Sequence, residues 1–306
     1  MPCIGEAIAL ATVLCWTFSV PFFAAASREV GAIPVNMIRL SVALVLFVIL
    51  LWYKDGSVVP LHFPALAWFY LSLSGIVGFF IGDIFLFKAL VELGPRVAML
   101  IQSLAAPTAA VLGWVFLGEM YVLHQWLGMA VALLGVSAVI LERGAKPGTS
   151  LVTKLQVRRI SGKGVAYGLA AMCGQAGGIV LSKTGMQTES GYLDAFAATE
   201  VRAIAAFFCF ILYFTVTRKW RNVQKALTNT RAVLFTAIGA AIGPFLGVSL
   251  SLLALHYLTS GVASTFFALV PICIIPFSVY LHKEHVSARA VAGAVVAVYG
   301  VYLLSR

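Results

Sequence analysis

Charge is what this 306-residue chain has least of: Asp, Glu, Lys and Arg make up 10% of it, against 61% hydrophobic residues. A soluble domain of this length needs far more charge to cover its surface, so a water-soluble fold is excluded. The cysteines Cys3, Cys15, Cys173, Cys209 and Cys273 form no CxxC pair, which leaves a disulfide framework or a zinc site without support. No Lys or Arg precedes the first apolar run, which Glu6 opens, so a cleaved signal peptide is not expected and that run stays as a helix. The chain has no GxxxxGK[ST] stretch to drive transport with ATP, and no His-Glu-x-x-His, Gly-x-Ser-x-Gly elbow or pair of intramembrane aspartates. His282-Lys283-Glu284-His285 lacks the spacing that puts two imidazoles on one helical face. An enzyme, a cofactor and a metal are therefore not expected.

What the chain does have is apolar runs of membrane-crossing length, at 4–26, 33–53, 65–87, 96–117, 123–141, 163–183, 194–217, 231–255, 260–281 and 287–305. All read as helices, because the backbone must satisfy itself in lipid and the alternating period of a barrel strand is absent. The expected class is an all-α integral membrane protein of ten transmembrane helices. Among the basic residues, Arg39 and Arg202 fall inside spans, and all but three of the rest lie on one side of the membrane. The loops 142–163 and 218–231 dominate that excess. By the positive-inside rule this side is cytoplasmic and both termini are outside. That distribution accounts for the net charge of +10 without an anionic partner, although attraction of those two loops to anionic lipid is a secondary reading.

The same pattern is written twice. Phe87-Lys88-Ala89-Leu90, Pro107, Leu117-Gly118-Glu119, Gly128 and Gly135 return, about 165 residues later, as Leu252-Leu253-Ala254-Leu255, Pro271, Leu281-His282-Lys283-Glu284, Gly293 and Gly300. Each copy holds an odd number of runs, so the second half is upside down relative to the first, as in secondary transporters. The expected boundaries are a first repeat at 1–142, a basic linker at 143–162 and a second repeat at 163–306. Gly75, Gly78 and Gly82 in the third span match Gly239, Gly243 and Gly247 in the eighth. Such small-residue ladders serve either helix packing or a transport pathway. Pro244 sits in the second ladder, and Pro107 and Pro271 sit near the middle of the fourth and ninth spans, where each kinks a helix. Those kinks serve either gating or static packing.

The stretch 85–119, FLFKALVELGPRVAMLIQSLAAPTAAVLGWVFLGE, followed by Gly128 and Gly135, resembles the second part of an EamA domain of the drug/metabolite transporter superfamily. Its counterpart at 251–284 is similar but looser, with His282-Lys283 where the family commonly shows Leu-Gly before Glu. Trp16 and Arg39 resemble the family's first half, and Arg202 echoes Arg39. The resemblance implies two inverted five-helix repeats, with helices 1 to 4 and 6 to 9 around a central cavity and helices 5 and 10 outside it. It also implies movement of small organic solutes, commonly amino acids, metabolites or toxic compounds, often by export. Members of this kind are usually drawn with termini inside, opposite to the charge count.

Ionised side chains in hydrocarbon cost several kcal/mol, about 2.5 to 3.5 on insertion scales, so those within spans need partners or water. Asp83, Arg39, Glu200 and Arg202 are the informative ones. Asp83 is either a proton carrier or a fixed partner of Lys88 or Arg39. Glu200 and Arg202 are two residues apart and face different directions, so Glu200 needs another partner, for which Lys183 is a candidate. Arg39 and Arg202 either attract carboxylates at the two mouths or snorkel to headgroups. Gln102, Gln175, Ser19 and Ser249 offer uncharged hydrogen bonds to a solute or to a neighbouring helix. Trp16, Phe266 and Phe267 form either an aromatic wall or ordinary packing. Glu119 and Glu284 read as interface or capping residues, and Glu6 lies at the outer edge of the first span.

The function these features favour is a secondary transporter of small organic solutes, coupled to protons or to exchange, in the cytoplasmic membrane. The alternatives are an exchanger or importer of phosphorylated or nucleotide-linked metabolites, and a receptor on the same fold. Expected partners are a small-molecule substrate and the lipid bilayer, with a homodimer as one oligomeric option and no nucleic acid.

Overall fold

The computed structural model describes residues 3–142, 161–189, 191–274 and 288–304. The helices are α1 (Ile4–Val30), α2 (Ala32–Asp55), α3 (Ala65–Ser74), α4 (Asp83–Ser103), α5 (Ala105–Leu117), α6 (Leu123–Glu142), α7 (Gly162–Met186), α8 (Ala195–Val216), α9 (Trp220–Thr228), α10 (Thr230–Ala240), α11 (Val248–Ala254), α12 (Ser260–Phe267) and α13 (Ala288–Leu304). A two-residue hairpin, Gln187–Thr188 with Gly191–Tyr192, joins α7 to α8. Seven helical stretches among the described residues are long and apolar enough to cross a membrane, and Ser260–Ile274 and Val291–Leu304 are shorter apolar helices. The basic linker expected at 143–162 and Glu284 lie outside the described residues, apart from Ser161 and Gly162.

The repeated breaks take definite forms. Gly75–Gly82 and Ala241–Gly247 are both π-helical, so the first glycine ladder and the last two glycines of the second sit on a locally widened helix, while Gly239 lies just before it in α10. Pro244 falls inside the second of these segments, where the missing N–H is absorbed by the altered hydrogen-bond register. The span expected to end at 87 continues past it, and the chain turns at Gly94, whose φ of 78° suits glycine alone before Pro95. The helix through Pro107 is interrupted at Leu104, and the one through Pro271 turns at 268–269. In each case the interruption lies within one turn before the proline, where its ring would clash.

The halves interleave. The first helix of each half is packed into the other half: α7 lies against α3, α4, α5 and the first π segment, while α1 lies against α10, α11, α12 and the second π segment. The glycines allow this. A Cβ on Gly178 would come 3.1 Å from Gly78 Cα, and one on Gly75 would come 2.1 Å from the Arg202 carbonyl oxygen. The second ladder instead receives side chains of α1, with Gly247 against Trp16, Gly243 against Ser19 and Gly239 against Phe23. Gly128, Gly135, Gly293 and Gly300 form one contact, in which α6 and α13 touch backbone to backbone; a Cβ on Gly300 would lie 2.2 Å from Ala132 N.

The bundle has two distinguishable ends. The start of α1, the ends of α2, α5, α7 and α11 and the starts of α8 and α12 meet at one face, shown by the contacts of Gly5 with Leu258, Lys54 with Asp194, and Glu119 with Lys183 and Ser260. This is called the N-terminal face. At the other, basic face, Glu29 accepts from Asn229 at 2.9 Å, and Gly164 packs on Leu93.

Candidate functional site

A cavity of about 310 Å³ lies between the halves, in the part of the bundle nearer the basic face. On α1 its lining begins at Trp16 and runs to Phe23, and on α2 it touches Arg39 and Leu40, in the first third of that helix. Asp83 and Leu86 of α4, Gln102 at its end, Gln175 of α7, Gly243 and Pro244 of the second π segment, and Ser264, Phe267 and Pro271 complete its working surface.

Arg39 and Asp83 form an ion pair in the wall through Nη2 and Oδ2. Arg39 also lies over the Phe23 ring, 5.6 Å from its centroid. Lys88, one of the two partners expected for Asp83, instead lies over Phe85 and Tyr167 at 5.3 and 5.4 Å. Among the described residues the lining thus carries one cation and one anion, already paired, within an apolar surround. Three buried polar atoms of the lining, Arg39 Nε, Gln102 Oε1 and Ser264 Oγ, have no hydrogen-bond partner among the described residues. Trp16 meets Phe267 edge to face at 5.2 Å and closes the deep end of the cavity, whereas Phe266 is 2% exposed and packs in the core. Ser19 Oγ donates to the Trp16 carbonyl, which ties up its hydrogen.

Glu200 and Arg202 do not line this cavity. Arg202 is buried beside it, with its guanidinium 4.4 Å from the centroid of Phe79, a lining residue. Its environment is therefore an aromatic face, not a headgroup. The pairing of Arg39 with an acid has no copy in the second half, because Val248 stands at the position, 165 residues on, that corresponds to Asp83. Both carboxylate oxygens of Glu200 are buried without a hydrogen-bond partner among the described residues. Pro107, Gly78, Gly82 and Gly247 lie behind the lining and shape the helices that carry it. Ser249 is fully buried in α11, and its Oγ has no partner among the described residues.

The expected partner of Glu200 is taken by another acid. Lys183 Nζ donates to Glu119 Oε1 at 2.7 Å and to the Leu258 carbonyl at 2.7 Å. Glu119 also accepts from Ser260 N at 2.9 Å, from Ser260 Oγ at 3.0 Å and from the Tyr121 hydroxyl at 2.5 Å. Tyr121 in turn accepts from Gly261 N at 3.1 Å. Glu119 is thus no capping residue at an exposed interface. It is 9% exposed and ties the end of α5 to the end of α7 and the start of α12. Gly118, with φ 65°, ends α5 in the left-handed region and turns Glu119 back into the bundle. Gly113 leaves room for the carboxylate, since a Cβ there would lie 2.2 Å from Oε2. Burial and the neighbouring Glu119 carboxylate push the Tyr121 hydroxyl well above its usual pKa, so it stays protonated and donates. This latch closes the N-terminal face and contributes no residue to the cavity. Composition alone gave no sign of it; the recurrence of Glu after the fourth span of both copies was the available signal.

The same face carries two further contacts. Lys54 donates to Asp194 at 2.6 Å, and Asp194 caps α8 through Ala197 N. Burial acts to raise the Asp194 carboxyl, but the Lys54 bond and the helix N–H groups outweigh it and hold it below the usual carboxylate range. Tyr192 stacks on His256 at 4.6 Å. Burial is the main cause holding the His256 imidazole below its ordinary pKa, with Lys183 adding to it and Asp194 opposing.

Many apolar helices, two halves built alike and a cavity between them define a multi-pass membrane protein of the kind that carries solutes. Residues 3–141 and 162–306 each match the model of the EamA-like transporter family, and the chain belongs to that family, within the drug/metabolite transporter superfamily. A solved structure titled "Crystal structure of protein" shares the fold with a TM-score of 0.71 at 16% identity, covering 99% of this chain and 96% of that chain. No curated protein matches the chain.

Proposed function

We propose that the protein is an alternating-access secondary transporter of small organic solutes that are neutral overall, either zwitterionic or uncharged, and that carry an apolar body. The single observation that carries this reading is the cavity, which holds one mutually paired cation and anion plus unpartnered amide and hydroxyl atoms within an apolar wall. A solute with net charge leaves one charge uncompensated in such a wall, which is costly. A zwitterion divides the Arg39–Asp83 pair and takes one partner at each end. Amino acids, related metabolites and drugs of that charge type fit, and a phosphorylated or nucleotide-linked solute does not, because Arg39 is the only cation in the lining among the described residues.

In this reading ten helices form two inverted five-helix repeats, 1–142 and 163–306, joined by 143–162. The π segments and the breaks before Pro107 and Pro271 are the points where the helices bend. The cavity faces the basic side, which is the cytoplasmic side of the cytoplasmic membrane by charge bias, and the Glu119–Lys183 latch closes the other. Export is the expected direction. Asp83 exchanges its Arg39 partner for a solute ammonium when the solute is bound and for a proton at another step of the cycle, so transport is proton-coupled.

The test is solute binding to purified protein near pH 7, followed by tryptophan fluorescence, with amino acids, amines, organic phosphates and small drugs. Binding of neutral or zwitterionic solutes, weakened about tenfold or more in Asp83→Asn, supports the reading. Preferential binding of organic phosphates contradicts it.

A further inference from the structure

We propose that α9 and the residues flanking it form a binding surface for the headgroups of anionic phospholipids on the basic face. This surface is independent of the cavity and of the solute. From the end of α8 into the first turn of α10, the stretch 218–231 carries Arg218, Lys219, Arg221, Lys225 and Arg231 and no acidic residue. At 100° per residue, Trp220, Val223 and Leu227 gather on one side of α9, and Arg221, Gln224, Lys225 and Thr228 form a stripe on the opposite side. The structure uses both sides. Val223 and Ala226 are 5% and 0% exposed, docked where α9 meets α2, α10 and α1, and the polar stripe lines a shallow outward groove.

The position of the helix commits the groove to lipid. Trp220 packs on Phe214 at 5.7 Å, and its indole N–H donates to Thr215 Oγ1 at 3.1 Å, which pins the start of α9 to the last turn of the membrane-crossing α8. Tryptophan at a span end marks the headgroup level. Arg218, with φ 53°, makes the reversal that lays α9 across the bundle end, and Leu227 is left 56% exposed at the same level. Glu29, the acid that reaches this region, is engaged by Asn229 at 2.9 Å and lies 3.7 Å from Arg231. Arg221 and Lys225 have no ion-pair partner among the described residues. A basic stripe held at headgroup depth, with Val223 and Ala226 docked on protein and Leu227 open at the same level, is matched by an anionic lipid. A nucleic acid or an acidic peptide would have to displace the headgroups that surround that depth.

The test uses the full-length protein in nanodiscs of phosphatidylcholine or of phosphatidylcholine with phosphatidylglycerol. Thermal midpoint and the phosphatidylglycerol retained in native mass spectrometry are read together. The parent is expected to gain midpoint and retain phosphatidylglycerol, with the gain shrinking as salt screens it. Arg221→Ala with Lys225→Ala is expected to lose most of the gain, roughly fivefold in retained lipid per basic residue removed. Its midpoint in pure phosphatidylcholine should match the parent's, which verifies folding. Lys54→Ala with Lys163→Ala removes equal charge elsewhere and should keep the gain. The proposal is overturned if the parent shows no gain, if the Arg221/Lys225 variant keeps it, if both double variants lose it equally, or if inorganic phosphate in lipid-free micelles reproduces it.

Discussion

Lys183 and Glu119, from opposite halves of the chain, meet at 2.7 Å with both side chains only 7% exposed. Their other bonds, to the Leu258 carbonyl and to Ser260 and Tyr121, satisfy much of what the pair loses by leaving water. Removing one member of such a pair strands the other, at a cost of about 3–5 kcal/mol. Lys183→Met should therefore lower the unfolding midpoint more than Lys54→Met, whose pair with Asp194 is half exposed. Thermal unfolding of the two variants in one detergent measures the difference. Equal loss would mean that the buried pair is not what holds this face.

The Arg39–Asp83 pair should behave as a unit. Asp83→Asn and Arg39→Gln each leave a lone polar or charged partner in the cavity wall and should weaken binding of a zwitterion about tenfold or more. The double variant should lose little more than either single one, because the contacts are shared. Binding isotherms for the four proteins measure the coupling, and additive losses would separate the two residues.

Acid should loosen the N-terminal face. The folded state holds His256 below its ordinary pKa, so it binds fewer protons than the unfolded chain. That contribution is fully present above about pH 6.5 and is lost as the pH falls from there through the folded value. Thermal midpoints from pH 8 to 5 should be flat and then decline, and His256→Phe should flatten the decline while keeping the stack on Tyr192. Asp194 adds a separate loss only in the carboxylate range, since its folded value lies below the usual one.

The α6–α13 contact depends on the absence of side chains. Gly300→Leu forces atoms onto Ala132 N and Gly128 O, with Cβ approaches of 2.2 and 2.8 Å, and backbone cannot yield as a side chain can. The expected cost exceeds the roughly 1–3 kcal/mol of ordinary overpacking. Gly162→Ala, with open space around its Cβ, is the matched control. A midpoint as high as the parent's in Gly300→Leu would show that the two helices separate freely.

What the sequence made legible was what repeats or alternates locally. The apolar runs marked an all-helical chain, with seven stretches of membrane-crossing length among the described residues, and the doubled Gly and Pro positions marked where the π segments and breaks occur. The basic segment 218–231, counted from sequence as a loop, holds the helix α9. The latch was not legible, because Glu119 finds Lys183 64 residues away and Ser260 141 residues away, across the boundary between halves. Near a helix end, a buried clamp and an exposed cap share the same local pattern. For the same reason Lys183 was a plausible partner for Glu200: depth is readable from sequence position, but the direction in which a side chain points across a bundle is not. The four glycines of α6 and α13 were visible as a repeated pattern, and only the fold shows that they form one contact.

The most direct measurement of the central claim is the accessibility of Ser264→Cys, deep in the cavity, in an otherwise cysteine-free protein reconstituted in sided vesicles. A membrane-impermeant thiol reagent is applied to each face of the parent and of Glu119→Gln. Alternating access predicts that the parent reacts faster from the basic face, and that breaking the latch shifts reaction toward the N-terminal face. Reaction from the N-terminal face at the same rate with and without Glu119 would contradict it.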